Sequence, residues 1–293
     1  MSGKKQVRLS LWAENLMNSE GTSCLGYGRG ISHPYAKVKY QKDDSDAGET
    51  EKLLINTLHP QWSTPIFLEY EIGTVLNLIV EIFDSNKKTG DLLLGVGEID
   101  VGYILSNSEI KIHKEDLSEG QLYAYAEIVD ESKHLENLNL KIRGLDIKNV
   151  DEGYLRLGKS DPFYEVAKKV SEPSKGSVEW VVVYRSAHIK EHSNPVWEKS
   201  TIDLDALCNG NLSSPIKITC LDFSETKETV FIGYVETSVE ELIDKYENTH
   251  GNADRKYALP LRDKENNDSI TTGLLVVIEA TIEPYIEKSV FAA

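Results

Sequence analysis

Short stretches of alternating apolar and polar residues, many rich in β-branched side chains, recur along the whole chain. The clearest lie at Val7 to Trp12, Leu76 to Phe83, Tyr123 to Val129, Leu138 to Arg143, Trp180 to Tyr184 and Leu274 to Ile282. This pattern is typical of β-strands, whereas apolar residues at helical spacing predict only one short connecting helix, Val239 to Tyr246. The polar segments 41–51 and 171–177 are predicted as surface loops. The pattern therefore predicts an all-β fold of antiparallel sandwiches.

The chain contains an internal repeat, marked by short motifs that occur twice in the same order. Residues 32–35 read Ser-His-Pro-Tyr and residues 160–163 read Ser-Asp-Pro-Phe, and each motif precedes an alternating segment. Residues 59–62 read His-Pro-Gln-Trp and residues 194–197 read Asn-Pro-Val-Trp. Further on, Asp84 precedes Gly95 by the same 11 residues that separate Asp222 from Gly233. A duplicated pattern of this kind indicates two domains of one architecture.

The length of the chain agrees with two domains. Its 293 residues exceed the usual size of a single domain, and two units of roughly 130 to 150 residues would each bury an adequate core. We place the junction between residues 130 and 136 and predict domains spanning 1–132 and 133–293. Trp62 and Trp197 follow prolines and are predicted to be buried in their sandwiches.

The composition limits the classes of function. The formal net charge of −16 divides evenly between the two halves, so neither half is a basic nucleic-acid-binding module. No stretch approaches the roughly 20 apolar residues that cross a bilayer, no signal-peptide pattern opens the chain, and the three cysteines lie at no metal-binding spacing. We expect a cytoplasmic protein with reduced thiols. Because it is acidic, it needs a local basic patch or a bound cation to approach anionic lipids.

Sequence motifs of common enzymes are missing. The chain contains no G-x-S-x-G elbow, no P-loop, no paired dinucleotide glycines and no H-E-x-x-H zinc helix. The glycine-rich run at residues 26–30 precedes a predicted strand rather than a helix, which argues against a phosphate cradle. We therefore expect no catalytic activity.

Taken together, the repeated motifs resemble those of the C2 domain family, in which an S-D-P-[YF] turn, an N-P-x-W segment and a D-x-D turn before an I-G pair occur in this order. More narrowly, the second repeat resembles the second C2 domain of copines at residues 159–163, 183–186, 193–197 and 207–210. The resemblance covers roughly residues 7 to 283 and implies two tandem, eight-stranded Greek-key sandwiches. Copines continue into a von Willebrand factor A-like domain that this sequence lacks, so the chain is either a short relative or tied to copines only at the C2 level.

The resemblance implies a calcium cage of loop carboxylates at one end of each sandwich, completed by lipid phosphate. In the second repeat Asp161 and Asp222 match the family's ligands, and Asp151, or Asn149 in another alignment, would supply an earlier one. Calcium prefers six to eight oxygen ligands, so calcium is the expected cofactor if the cage is complete enough. The alternative is that these aspartates cap their own backbone.

Both repeats depart from the family's ligand set. In the second repeat Ser224 stands where the second aspartate of the D-x-D turn belongs and Val230 stands where a later aspartate is expected, so Glu225 or Glu228 would have to compensate. The first repeat departs further, because His33 and Asn86 replace two aspartates. Imidazole is a poor calcium ligand. The oxygen ligands left in the first repeat are Asp84, Asp91 and Glu20. The first domain is therefore predicted to be calcium-independent.

Two further features are candidates for lipid binding. Lys37 and Lys39, spaced by two on a predicted strand, point to one side, with Lys42 just beyond. Three lysines near an anionic leaflet would add about 1 kcal/mol each, and a solvated strand face is the alternative. Loop residues form the second candidate, and they would enter the membrane interface if exposed or pack as a small core if folded back. They are Leu25, Tyr27 and Ile31 in the first repeat and Val150, Tyr154 and Leu155 in the second.

We therefore expect a docking module for anionic phospholipid membranes, either tuned by calcium or independent of it, that associates peripherally from the cytoplasm. The alternative is a non-enzymatic scaffold that binds protein partners through the same sandwiches without lipid or calcium.

Overall fold

Antiparallel β-strands make up most of the structure, a computed structural model. It describes residues 3–17, 32–55, 57–85, 90–107, 112–129, 136–150, 159–172, 177–224, 228–249, 255–263 and 271–284. These residues form two units, of which the first holds the chain up to residue 129 and the second holds most of the remaining residues. Within the described ranges, no helix is long and apolar enough to span a bilayer.

Eight strands and one short helix form the first sandwich. They are β1 Lys4–Glu14, β2 Pro34–Tyr40, β3 Asp46–Glu49, β4 Ile66–Glu71, β5 Asn77–Asp84, β6 Leu92–Asp100, α1 Val101–Ser106, β7 Ile112–Asp116 and β8 Gln121–Ile128. One sheet has the order β4-β1-β8-β7 and the other has the order β3-β2-β5-β6. In β4 every second residue, Ile66, Leu68 and Tyr70, is buried while its neighbours are exposed, as expected for a strand with one face on a core.

The second sandwich repeats this plan. Its elements are β9 Glu136–Leu145, β10 Pro162–Glu172, β11 Ser177–Arg185, β12 Ser200–Asp203, α2 Leu204–Cys208, β13 Ile216–Asp222, β14 Val230–Thr237, α3 Val239–Thr249, a 3₁₀ turn Arg255–Tyr257, β15 Leu259–Arg262 and β16 Thr271–Pro284. The strand order β12-β9-β16-β15 matches β4-β1-β8-β7, and β11-β10-β13-β14 matches β3-β2-β5-β6. Here the two sheets are joined, because Tyr234 of β14 pairs with Arg262 of β15. The predicted pair of antiparallel, eight-stranded sandwiches is confirmed.

Buried tryptophans mark the repeat inside both cores. Trp62 is 2% exposed and Trp197 is 1% exposed. The indole N–H of Trp62 donates to the carbonyl of Pro34, and that of Trp197 donates to the carbonyl of Pro162, each at 3.1 Å. The prediction that both tryptophans are buried is confirmed, and each bonds to the strand that opens the second sheet of its sandwich.

The predicted helix is present as α3, three residues longer than expected. Ser238 begins it, because its hydroxyl accepts a hydrogen bond from the N–H of Glu241 at 3.1 Å, an N-cap arrangement that favours a helix start. Val239 and Leu242 join the core of the second sandwich. The helix therefore packs its apolar side on the sheet and exposes acidic residues.

The predicted surface loop 41–51 is wrong in part, since it contains strand β3. The sequence of β3, Asp-Ala-Gly-Glu, has no apolar alternation, and the strand forms because its backbone pairs with β2, Lys37 opposite Glu49. The other predicted loop is shorter than expected, because β10 extends to Glu172 and β11 begins at Ser177. Residues 173–176 and, of the predicted junction at 130–136, residues 130–135 lie outside the described residues, while Glu136 begins β9.

Candidate functional site

Backbone hydrogen bonds gather the loops at one end of the second sandwich. The N–H of Gly144 donates to the carbonyl of Pro195 at 2.8 Å and the N–H of Ile147 donates to the carbonyl of Ser193 at 2.8 Å. The end of β9 therefore lies against the segment between β11 and β12. In the first sandwich Ala13 and Leu16 make the corresponding bonds at the end of β1. We call this end of each sandwich its loop end.

A residue with a left-handed backbone conformation turns the chain at the same point in both repeats. Asn15 has φ 54° and Asp146 has φ 52°, a conformation that asparagine and aspartate tolerate better than most residues. The N–H of Asn15 donates to Nδ1 of His59 at 3.3 Å, and the N–H of Asp146 donates to Oδ1 of Asn194 at 2.9 Å. The first residue of each x-Pro-x-Trp motif thus accepts the same hydrogen bond.

Asp161 and Asp222, two predicted calcium ligands, are brought together at the loop end of the second sandwich. The N–H of Asp161 donates to Oδ1 of Asp222 at 2.6 Å, and Asp222 is 3% exposed. Oδ1 of Asp161 accepts a hydrogen bond from the N–H of Glu191 at 2.7 Å. Each carboxylate therefore caps a backbone N–H with one oxygen.

Asp84 occupies the equivalent position in the first sandwich. Its Oδ1 accepts a hydrogen bond from the N–H of His33 at 2.7 Å, and it is 4% exposed. Pro34 pairs with Asp84 in the sheet as Pro162 pairs with Asp222. The aspartate thus makes the same bond in both repeats, although an imidazole replaces the second carboxylate in the first repeat.

The other predicted ligands do not complete a cage in the described part of the chain. Ser224 is half-buried, and Asn149 accepts a hydrogen bond from the hydroxyl of Ser160 at 3.2 Å. Asp151 lies outside the described residues, as do Glu20, Asn86 and Glu225. Among the described residues, no three histidine, cysteine or acidic side chains converge as metal ligands. Two carboxylates fall short of the six to eight oxygens that calcium prefers, so any site that they hold must draw further ligands from loops, lipid or water.

The predicted lysine face lies on the outer side of the sheet that contains β2, and it is balanced by acids. Nζ of Lys39 lies 3.1 Å from Glu81 and 3.7 Å from Asp44, and the hydrogen bond to Glu81 raises the pKa of Lys39 above its usual value. Lys42 is exposed and lies 3.9 Å from Asp43. Lys37 stacks over the ring of Phe83, with Nζ 5.4 Å from the ring centroid. The face therefore carries less net positive charge than the three lysines alone indicate.

Lys52 is a cation at the loop end of the first sandwich that sequence reasoning missed. Its Nζ lies 3.4 Å from Oδ2 of Asp91 and 4.3 Å from the ring centroid of Tyr35. The phenol of Tyr35 donates to the same Oδ2 at 2.5 Å. Asp91, proposed from sequence as a calcium ligand, is thus engaged by a phenol and an ammonium. The pairing of β2 with β3 and β5, and of β5 with β6, brings these residues together from distant parts of the chain, so no local pattern could have identified them.

Exposed apolar side chains at the loop end were also missed. Leu54 is 71% exposed, Leu92 is 46% exposed and Leu93 is 44% exposed. Val150, one of the predicted apolar loop residues, packs against the core of the second sandwich instead. The others, Tyr154 and Leu155 of the second repeat and Leu25, Tyr27 and Ile31 of the first, lie outside the described residues.

Comparison with known proteins identifies the fold family. The C2 domain model matches residues 10–117 and again residues 135–253. Copine-B of Dictyostelium discoideum is 28% identical over 207 residues, which is 67% of this chain and 36% of copine-B. The chain thus matches about a third of that relative's length.

The similar solved structures are more distant in sequence than copine-B. BON1-C2B is 19% identical and aligns with 53% of this chain and 98% of its own, with a TM-score of 0.41. The calcium-bound pair of C2 domains of extended synaptotagmin 2 is 14% identical and aligns with 96% of this chain and 98% of its own, with a TM-score of 0.33. Since the family model matches most of the chain in two stretches, the protein belongs to the C2 domain family and contains two C2 domains with copine-like sequence.

Proposed function

We propose that the chain is a non-enzymatic docking module that binds anionic phospholipid surfaces through the loop end of its second C2 domain, with calcium tuning the contact. In this proposal the domains span residues 1–132 and 133–293 and the protein associates peripherally with membranes from the cytoplasm. The two stretches matched by the family model each fall inside one of these spans, which supports the boundaries. C2 domains in general serve as membrane-binding or protein-binding modules, and the proposal selects the first of these roles.

The observation that carries the proposal is the contact between Asp161 and Asp222. The backbone N–H of Asp161 donates to Oδ1 of Asp222 at 2.6 Å, which places two acidic residues next to each other, and a cation bound there would neutralise both carboxylates. Asp151 and Ser224 are the candidates for further oxygen ligands. Calcium bound there would supply the positive charge that an acidic protein needs in order to approach lipid phosphate.

The first C2 domain supports docking less well. His33 stands beside Asp84 where the second domain has Asp161, so this pair holds one carboxylate instead of two. Lys39 on its strand face is already paired with Glu81 and Asp44. The field that this face presents to an anionic leaflet is weakened accordingly. We therefore assign the calcium-dependent contact to the second domain.

Co-sedimentation with phosphatidylserine vesicles tests the proposal. The intact chain is compared in calcium and in chelator with the double variant Asp161→Asn plus Asp222→Asn, and with Asp84→Asn as the matched control in the first domain. We expect calcium-dependent pelleting that the double variant loses and the control keeps. Equal pelleting in chelator would move the contact to the lysine face or to the exposed leucines.

A protein-binding scaffold is the second candidate, and one observation favours it. Asp84 and Asp222 cap the same backbone position in both repeats, which gives the aspartates a structural role that needs no metal. Absence of pelleting under every condition would leave this function. Partners that remain bound in chelator would support it directly.

A further inference from the structure

Three side chains from three separate segments meet at the loop end of the first C2 domain. Tyr35 lies at the start of β2, Lys52 follows β3, and Asp91 directly precedes β6. The phenol of Tyr35 and the ammonium of Lys52 both contact Oδ2 of Asp91, at 2.5 Å and 3.4 Å. One carboxylate oxygen therefore connects the three segments.

The cluster combines a buried and a partly exposed interaction. Tyr35 is 1% exposed, and burial together with the hydrogen bond to Asp91 raises the pKa of its phenol. The side chains of Lys52 and Asp91 are 46% and 33% exposed. Nζ of Lys52 also lies 4.3 Å from the centroid of the Tyr35 ring, within the range of a cation–π interaction. The ammonium thus contacts both the carboxylate and the ring, and its charge is only partly screened by water.

At the matching positions of the second C2 domain, all of them described, the three side chains are different. Phe163 is the counterpart of Tyr35, because Phe163 follows Pro162, which pairs with Asp222, and Tyr35 follows Pro34, which pairs with Asp84. Phenylalanine has no hydroxyl. Lys52 lies two residues after Thr50, whose hydroxyl accepts a hydrogen bond from the N–H of Ala36 in β2. His188 is its counterpart, because it lies two residues after Ser186, whose hydroxyl accepts a hydrogen bond from the N–H of Tyr164 in β10. Asp91 and Thr229 each precede a matching glycine by four residues, and threonine carries no charge. The cluster is therefore specific to the first domain.

We infer that Lys52 is a built-in counter-ion that ties β2, the segment after β3 and the start of β6 together without a metal ion. The inference goes beyond lipid docking and does not depend on it. In this arrangement the ammonium neutralises a loop carboxylate and connects two loops, which are the tasks that a bound cation would otherwise perform. Added calcium would then leave the first domain unchanged.

Amide hydrogen exchange of the intact chain tests the inference without lipid. The N–H of Leu53 donates to the carbonyl of Pro34 at 3.2 Å, and the N–H of Ile189 makes the equivalent bond to Pro162 at 3.0 Å. Leu53 thus reports on the cluster, and Ile189 is an internal reference in the other domain. The variants are Lys52→Met, the conservative Lys52→Arg, and Lys4→Met as a control that breaks the exposed pair of Lys4 with Glu69.

We expect Lys52→Met to accelerate exchange at Leu53 by about fivefold to tenfold and to leave Ile189 unchanged. High salt should accelerate Leu53 exchange in the wild type and in Lys52→Arg but not in Lys52→Met, because salt screens only a pair that exists. Packing alone would show no such salt dependence. Calcium and chelator should give the same rate at Leu53 in the wild type.

Several results would overturn the inference. They are an unchanged rate at Leu53 in Lys52→Met, equal acceleration in Lys4→Met, no salt dependence in the wild type, or slower exchange at Leu53 when calcium is added. Because lipid is absent from every sample, failure of the membrane proposal leaves these outcomes unaffected.

Discussion

Asp222 allows the structural role of a loop aspartate to be separated from a metal-binding role. Its Oδ1 accepts the N–H of Asp161 at 2.6 Å while the side chain is 3% exposed. Asp222→Ala removes this acceptor from the part-buried N–H of Asp161, which should lower the free energy of unfolding by about 1–3 kcal/mol. Asp222→Asn keeps an oxygen acceptor at the same place. Because bonds to charged acceptors are roughly twice as strong as neutral ones, the asparagine variant should lose about half as much.

Differential scanning calorimetry in chelator measures both variants. For a domain of roughly 150 residues, each kcal/mol corresponds to a shift of about 2–4 °C in the midpoint. We expect the second-domain transition to fall by several degrees in Asp222→Ala and by about half of that in Asp222→Asn, with the first-domain transition unchanged. Asp84→Ala is the matched control, since it should move the first-domain transition instead.

The two variants can also disprove the reasoning. If both are as stable as the wild type in chelator, the bond to Asp161 contributes nothing, and the aspartate is present for another reason. If asparagine destabilises as much as alanine, the charge matters and the acceptor does not. Either result would remove the structural explanation for the shared aspartate of the two repeats.

Three further predictions concern packing and reactivity. Trp197→Phe should lower the urea midpoint of the second domain by an amount equivalent to about 1–3 kcal/mol, since it loses apolar contact and the N–H that donates to Pro162. In thermal unfolding, Gly120→Ala should destabilise the first domain more than Gly73→Ala does. Both glycines have φ 86°, but a Cβ at Gly120 would lie 2.5 Å from a backbone oxygen, whereas a Cβ at Gly73 would have no atom within 4 Å. Burial raises the pKa of Cys208 to about 11, so this thiol stays protonated below that pH. It should react with a maleimide at pH 8 only after unfolding, which peptide mapping would measure. Fast labelling of Cys208 in the native protein would contradict its burial.

The strands could be predicted where one face of a strand packs on a core. The segment Leu76 to Phe83 predicted β5, in which every second residue is buried, to within one residue at each end. β3 could not be predicted, because Asp-Ala-Gly-Glu forms a strand only through backbone pairing with β2. Periodicity reports burial, and an edge strand without a buried face carries no such signal.

The candidate site could be predicted only in part for a similar reason. The Ser-Asp-Pro motif and the turn at Asp222 are local, so their meeting at one end follows from the repeat. The pairing of Lys39 with Glu81 depends on strand register between segments 42 residues apart in the chain. Lysine spacing therefore predicted the direction of the side chains but not their neutralisation.

The pairing of the first and last strands of each domain determines how it responds to force. β1 pairs antiparallel with β8, Val7 opposite Ile128, and β9 pairs with β16, Glu136 opposite Pro284. The amino-terminal and carboxyl-terminal strands of each domain thus begin and finish side by side, at the end of the sandwich opposite its loop end. A pull on these two ends acts across the strands, so the hydrogen bonds between them would break one after another rather than together. Each domain should therefore yield mechanically by peeling at low force, starting at the end that is farthest from its candidate binding surface.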